Sequence, residues 1–245
     1  MSKRIIFSVW SDLVDNHQSA TPDKINSFNL NKDKLIEKQK DYAVLCGADY
    51  EQFQPKENNY VDVQFYKIFQ TEKLLEEYDE VLYLDLDVIP KTQEVFFDNF
   101  DLNKVCVYSL PVQFSRFFDC NMNKYSKLSC KKSMLLLDNL DSTEMISNTG
   151  VFALNKNSHE TLKFSERFPI VEKKFLEAKE DNIYPEEMSL NWVKNNEVFL
   201  SYILERWNVE NNNIGQSWNF ILDETIREGS DACYFLHQVN KDFNL

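Results

Sequence analysis

The stretch Glu80-Val81-Leu82-Tyr83-Leu84-Asp85-Leu86-Asp87-Val88-Ile89-Pro90 places two aspartates at the end of an apolar run. Valine, leucine and tyrosine at that density fit a strand covered on both faces. Such a strand cannot hold two ionised carboxylates without partners. It is therefore expected to end near Leu84 and to deliver Asp85 and Asp87 into a crevice at its carboxyl end, where open α/β sheets bind ligands. Alternation along extended backbone predicts that both carboxylates project from one face and meet one cation, directly or through water. Hard oxygen donors suit Mg²⁺ or Mn²⁺. The competing reading is a strand-end turn with solvated carboxylates.

Around this stretch, strand-like and helix-like segments alternate. Ile5–Trp10 reads as a buried strand, followed by a polar loop through Asn16, His17 and Pro22. Asn31–Leu45 has helical spacing (Leu35, Ile36, Ala43) and stops near Gly47. Ala48–Phe53 is a second short strand. Val63–Tyr78 is an amphipathic helix with Phe65, Ile68, Phe69, Leu74 and Leu75 on one side. Val105–Leu110 is a further strand before Pro111. This order predicts an α/β domain with a largely parallel sheet.

The second half is less regular. The segment from Gln113 to Ile146 carries Lys124, Lys127, Lys131 and Lys132 and reads as an insertion over the site with a solvated cationic face. Val151–Leu154 is a strand, and His159–Lys179 a surface helix interrupted near Pro169. Tyr234–Val239 is a short apolar segment containing His237. With 245 residues, 43% hydrophobic and 14% aromatic, the chain is long enough for one well-cored domain. A net charge of −13 argues against nucleic acid or an anionic membrane as the main partner. There is no transmembrane-length apolar run, and five scattered cysteines show no C-x-x-C spacing. A cytoplasmic setting with reduced thiols is the expectation.

Tyr83-Leu84-Asp85-Leu86-Asp87-Val88 resembles the Y-L-D-x-D-v motif of nucleotide-sugar glycosyltransferases with the glycosyltransferase-A fold, family eight most closely. Four further segments follow in that family's order. Ser147-Asn148-Thr149-Gly150-Val151-Phe152 resembles F-N-x-G-V, and Glu186-Glu187-Met188-Ser189-Leu190-Asn191 resembles D-Q-D-x-L-N. Arg206-Trp207-Asn208 resembles a later W-N. Cys233-Tyr234-Phe235-Leu236-His237 with Lys241 resembles H-x-x-G-x-x-K, at shorter spacing and with Asn240 where the glycine would be. Glu187 stands where the family has glutamine. Together these segments span most of the chain after Val63.

The resemblance implies a single glycosyltransferase-A-like domain, a mostly parallel twisted sheet flanked by helices, with a nucleotide-binding half over 1–110 and an acceptor- and sugar-binding half over 111–245. It also implies retention of anomeric configuration. The partners expected are a nucleotide-diphosphate sugar donor, with UDP first, and a glycan or other hydroxyl acceptor.

The chemistry follows from the residue types. A nucleoside diphosphate leaves poorly until its developing charge is neutralised, and a divalent cation bridging the phosphates does this. Asp85, Asp87 and a neutral His237 imidazole make an O,O,N ligand set that favours Mn²⁺ over Mg²⁺. Lys241, or Lys67 on the helix before the aspartates, is placed to pair with phosphate, although Lys67 also reads as an ordinary solvated helix residue. The amides of Asn148 and Asn191 suit sugar hydroxyls, and Gly150 would let backbone approach the ligand. Glu187 is expected to contact the donor sugar or to sit behind its anomeric carbon, as stabiliser or nucleophile. Glu187 and Asp87 are thus the candidate catalytic residues.

Two other classes compete. A haloacid-dehalogenase-type phosphohydrolase also ends an apolar strand in D-x-D, but usually at the first strand. A non-catalytic nucleotide-sugar or glycan-binding protein could share the transferase fold.

Overall fold

The computed structural model describes residues 2–11, 22–56, 60–111, 118–180, 195–222, 229–239 and 243. The chain opens with β1 (Arg4–Val9), α1 (Pro22–Leu45), β2 (Asp49–Phe53), α2 (Tyr60–Glu77) and β3 (Glu80–Leu84). Then follow β4 (Val88–Pro90), α3 (Phe96–Asn99), β5 (Val105–Pro111), α4 (Phe118–Leu137) and β6 (Met145–Asn155). α5 (Lys156–Leu162), α6 (Phe164–Glu180), α7 (Asn196–Arg206), β7 (Asn211–Asn213), β8 (Phe220–Ile221) and β9 (Phe235–His237) complete it.

The main sheet has the order β2-β1-β3-β6-β5-β7. β1 pairs in parallel with β2 and with β3, and β5 with β7, while β6 runs antiparallel to both neighbours. Five strands therefore share one direction, and β6 alone opposes them. Strand side chains alternate between two buried layers, which is why these segments read as unbroken apolar runs. Ile5, Phe7, Val81, Tyr83, Phe152 and Leu154 face the layer holding α2, α4, α6 and α7 residues. Ile6, Leu82, Leu84, Val151 and Ala153 face Tyr42 and Ala43 of α1 and Phe96 of α3.

The chain leaves β1 for β2 on one side and returns to β3 on the other, so strand order reverses between β1 and β3. The carboxyl ends of these strands open into the crevice such a reversal creates. A second sheet, β4-β9-β8, stands beside that opening.

Several elements depart from the sequence reading. α1 starts at Pro22, whose missing N–H is tolerated at a helix start. Its end agrees with the sequence: it stops at Gly47, which takes φ +60 while Ala48 N–H reaches back to Ala43 O at 2.9 Å. The segment read as a cationic insertion contains α4, which buries Leu128, Cys130, Met134 and Leu135. Its lysines are not uniformly solvated. Lys131 is fully buried, donating to Met145 O at 2.7 Å and pairing with Glu205, and Lys127 pairs with Glu197 of α7. The helix expected over 159–179 breaks at Lys163, with φ +48, rather than at Pro169, which lies inside α6.

Candidate metal centre

Asp85 and Asp87 reach the same place by a route different from extended alternation. Backbone turns after Leu84, and Val88 N–H donates to Asp85 O at 2.9 Å, closing a tight turn between β3 and β4. Leu86, between the aspartates, is buried among Trp10, Phe28, Leu35 and Ile89. Gln39 of α1, wholly buried, donates to both Asp85 O and Val88 O at 2.9 Å. The Gln39 side-chain oxygen accepts from Tyr50 OH at 3.1 Å, and Tyr50 OH also bonds Ser8 Oγ at 2.8 Å. Side chains from the first two strands and α1 thus hold the turn.

The two oxygens of Asp85 have different neighbours. Oδ1 accepts from Lys67 Nζ at 3.0 Å and from the Tyr83 hydroxyl. Lys67 also donates to Thr149 O at 2.9 Å and stands over the Tyr83 ring, so the ammonium is buried with its partners in place. Burial, then the Asp85 charge, pushes the Tyr83 pKa well above that of an ordinary tyrosine and keeps it an O–H donor. Oδ2 of Asp85 faces His237 Nε2 at 3.8 Å, and Oδ1 of Asp87 faces the same nitrogen at 3.5 Å.

His237 arrives from the small sheet, where β9 pairs antiparallel with β4 and sets His237 opposite Val88. Gln238 N–H donates to Asp87 O at 3.0 Å and closes that edge. On the other side the imidazole lies over Gly150, where an added Cβ would stand 2.3 Å from Cε1 and 2.7 Å from Nδ1. Gly150 is there to admit the imidazole, and its carbonyl accepts from Asp85 N–H at 2.7 Å. It sits in a β6 irregularity, where register against β5 shifts between Val107 and Tyr108.

One ligand atom each from Asp85, Asp87 and His237 lies within 4.8 Å of the others. Asp87 and His237 are both 4% exposed, and the Asp85 side chain keeps 30% accessibility toward the crevice. Nε2 stays outside hydrogen-bonding range of Asp85 and closes no hydrogen bond to Asp87 at 3.5 Å, whereas a charge-assisted N–H···O bond would shorten to about 2.8 Å. Two carboxylate oxygens and an imidazole nitrogen, directed at one point and not bonded to each other, fit a divalent cation. Lys67 offsets one of the two carboxylate charges.

Of the other predicted site residues, Lys67, Asn148 and Gly150 adjoin this cluster. The Asn148 amide is already engaged, donating to Glu197 Oε1 at 2.7 Å and accepting from Gly150 N–H at 3.0 Å. Glu187, Asn191 and Lys241 lie outside the described residues. The Trp207-Asn208 pair is at the end of α7, where Trp207 stacks on Arg167 and Asn208 turns the chain with φ +48. A second Trp-Asn pair, Trp218-Asn219, is the one at the site: Asn219 is wholly buried against His237. Sequence reasoning missed Asn219, Gln39 and Glu197. The repeated Trp-Asn dipeptide was the available signal for the first, and nothing local marked the other two.

No family model matches the chain, and a search of curated proteins gives no match either. Solved structures do match. The crystal structure of a glycosyltransferase involved in the glycosylation of the major capsid of the virus PBCV-1 superposes with a TM-score of 0.50 at 13% identity, over 97% of this chain and 94% of that one. The chain has a glycosyltransferase-A-like fold. Mouse xyloside xylosyltransferase 1, in its apo form, aligns over 99% of both chains at 13% identity with a TM-score of 0.46. In the glycosyltransferase-A-like frame, the acidic turn sits at the carboxyl end of the third strand rather than the first. No helix among the described residues is long and apolar enough to cross a membrane.

Proposed function

We propose that the chain is a metal-dependent glycosyltransferase that moves a sugar from a nucleotide-diphosphate donor, UDP-linked first, to a hydroxyl of a glycan or other acceptor. The observation that carries this reading is the convergence of Asp85, Asp87 and His237 on one point at the crevice of a glycosyltransferase-A-like sheet. Mn²⁺ is the expected ion, with Mg²⁺ second. When bound, it supplies a Lewis acid for the diphosphate and offsets charge on the departing nucleotide.

The protein's own groups do the rest. Asp85 Oδ2, Asp87 Oδ1 and His237 Nε2 are the ligand atoms. Lys67, already facing Asp85, is the nearby cation for a phosphate oxygen, with Lys241 the second candidate. Asn191 is assigned to sugar hydroxyls, and Glu187 to the face of the anomeric carbon away from the nucleotide, with retention of configuration. In the reaction the anomeric carbon–oxygen bond to the diphosphate breaks, a bond to the acceptor oxygen forms, and the acceptor's proton passes to the departing diphosphate. Residues 1–110 carry most nucleotide contacts in this reading, and 111–245 those to sugar and acceptor.

The test is calorimetric titration of UDP and GDP with and without Mn²⁺, followed by hydrolysis assays on the sugars of whichever binds. Metal-dependent binding of one nucleotide, abolished by Asp85→Ala and by Asp87→Ala in folded protein, is expected. Binding that survives both substitutions would remove the metal assignment. Phosphate release from simple monoesters, without nucleotide binding, would move the chain to the phosphohydrolases.

A further inference from the structure

Behind His237 runs a chain of amides that ends on a carboxylate. His237 Nδ1 lies 3.0 Å from Asn219 Oδ1, and Asn219 Nδ2 donates to Asn148 Oδ1 at 2.8 Å. Asn148 Nδ2 donates in turn to Glu197 Oε1 at 2.7 Å, and Lys127 pairs with the same carboxylate. The direction of every bond is determined at the far end. An ionised carboxylate only accepts, so the atom of Asn148 that faces Glu197 must be the NH₂ group. The backbone N–H of Gly150 only donates, so the atom that it reaches at 3.0 Å must be the Asn148 oxygen. That oxygen can receive only the NH₂ of Asn219, which turns the Asn219 oxygen toward the imidazole. An oxygen there demands a proton on Nδ1.

We propose that Asn219, aligned through Asn148 by Glu197 and Gly150, is a positioning residue that holds neutral His237 as the Nδ1–H tautomer. Nε2 then carries a lone pair toward Asp85 and Asp87 before any ligand arrives. Nε2 lies 3.5 Å from Asp87 Oδ1 and 3.8 Å from Asp85 Oδ2, longer than a closed N–H···O bond. A histidine that ligates a metal through one nitrogen commonly donates the other N–H to an outer group, and loss of that group weakens metal binding about 10–100-fold. The inference rests on the metal-site reading above, yet the tautomer is a property of the metal-free protein and is measured without nucleotide or turnover.

The experiment is ¹⁵N-histidine NMR of the full chain without metal at pH 8, paired with Mn²⁺ titration by calorimetry. Wild type is expected to show a protonated Nδ1 and an unprotonated Nε2 at His237. Asn219→Leu and Asn148→Leu should each move His237 toward Nε2–H and weaken Mn²⁺ by about 10–100-fold, with circular dichroism unchanged. Asn219→Asp, which keeps an acceptor oxygen on Nδ1, should retain the Nδ1–H state. A proton on wild-type Nε2 overturns the proposal without reference to any variant. Unchanged tautomer and affinity in both leucine variants also overturns it. If the tautomer behaves as stated but no nucleotide binds, the positioning role stands and the transferase reading falls.

Discussion

Lys67 Nζ sits 3.0 Å from Asp85 Oδ1 in an ion pair whose lysine end is buried, so the protein already sets a positive charge against one of the two carboxylates. The pairing fixes the carboxylate plane and leaves Oδ2 turned to His237. Lys67→Met should therefore have two opposite effects. Losing the buried partner of a carboxylate should lower stability by about 2 kcal/mol, less than for a fully buried pair because Asp85 is partly accessible. Removing a positive charge beside the cluster should tighten Mn²⁺ roughly tenfold in the absence of nucleotide. Thermal melts and calorimetry on the same variant check both directions.

Gly150→Ala should act on the imidazole rather than on the sheet. The new methyl would stand 2.3 Å from His237 Cε1 and 2.7 Å from Nδ1, so the ring must move. A Mn²⁺ affinity loss of about 10–100-fold is expected, together with an overpacking cost of about 1–3 kcal/mol in stability. Equal affinity in the variant, by calorimetry, would mean that His237 does not bind the ion from this position.

Gln39→Leu removes both donors that tie the acidic turn to α1. Asp85 O and Val88 O each lose a partner at 2.9 Å, and Gln39 itself is wholly buried. The expected stability loss is about 2–3 kcal/mol by denaturant unfolding, accompanied by weaker metal binding as the turn loosens. Weaker metal binding without a stability change would place the role of Gln39 in ligand geometry alone.

Asp138, just past α4, gives a pH dependence remote from the site. It accepts from the Tyr202 hydroxyl and pairs with Lys174 at 3.2 Å and Arg206 at 2.8 Å. Burial alone would raise its pKa, but the bonds from Tyr202 and Lys174 and the charges of Lys174 and Arg206 outweigh it and hold the carboxyl below its usual value. The stabilisation is thus present in full above the unfolded carboxyl pKa and lost as pH falls through the depressed folded value. Asp138→Asn should cost about 1–2 kcal/mol at pH 7 and flatten the acid limb of the stability curve below about pH 4. Urea midpoints between pH 7 and pH 3 for both proteins provide the comparison.

β1, β2, β3, β5, the second half of β6 and α2 were legible because their signal is local, whereas the short strands β4, β7 and β8 carry too few residues to show a pattern. Apolar runs such as Val81–Leu84 owe their character to burial on both faces, and the 3.6-residue spacing of Phe65, Ile68 and Phe69 is visible in any window. The acidic pair was legible for the same reason, although the turn that presents it was not, since alternation and a tight turn can bring the same two carboxylates together. What stayed hidden depends on partners distant in sequence. Lys131 looks solvated until Glu205 and the carbonyls of Thr143 and Met145 are placed around it. Gln39 and Asn219 are ordinary polar residues in sequence, and their roles exist only once Asp85 and His237 stand beside them. Gly150 was expected to let backbone approach a ligand; the structure shows a side chain of the same protein, His237, lying against it.

The small sheet has a consequence for how the site comes into being during synthesis. A nascent chain exposed through β6 already has β1, β3 and β6, with the sequence of Asp85, Asp87 and Lys67, yet it lacks both Asn219 and His237. Two ligands can be presented while the ribosome is still elongating; the third arrives with β9. The three-residue cluster of Asp85, Asp87 and His237 is therefore complete only after translation has passed His237.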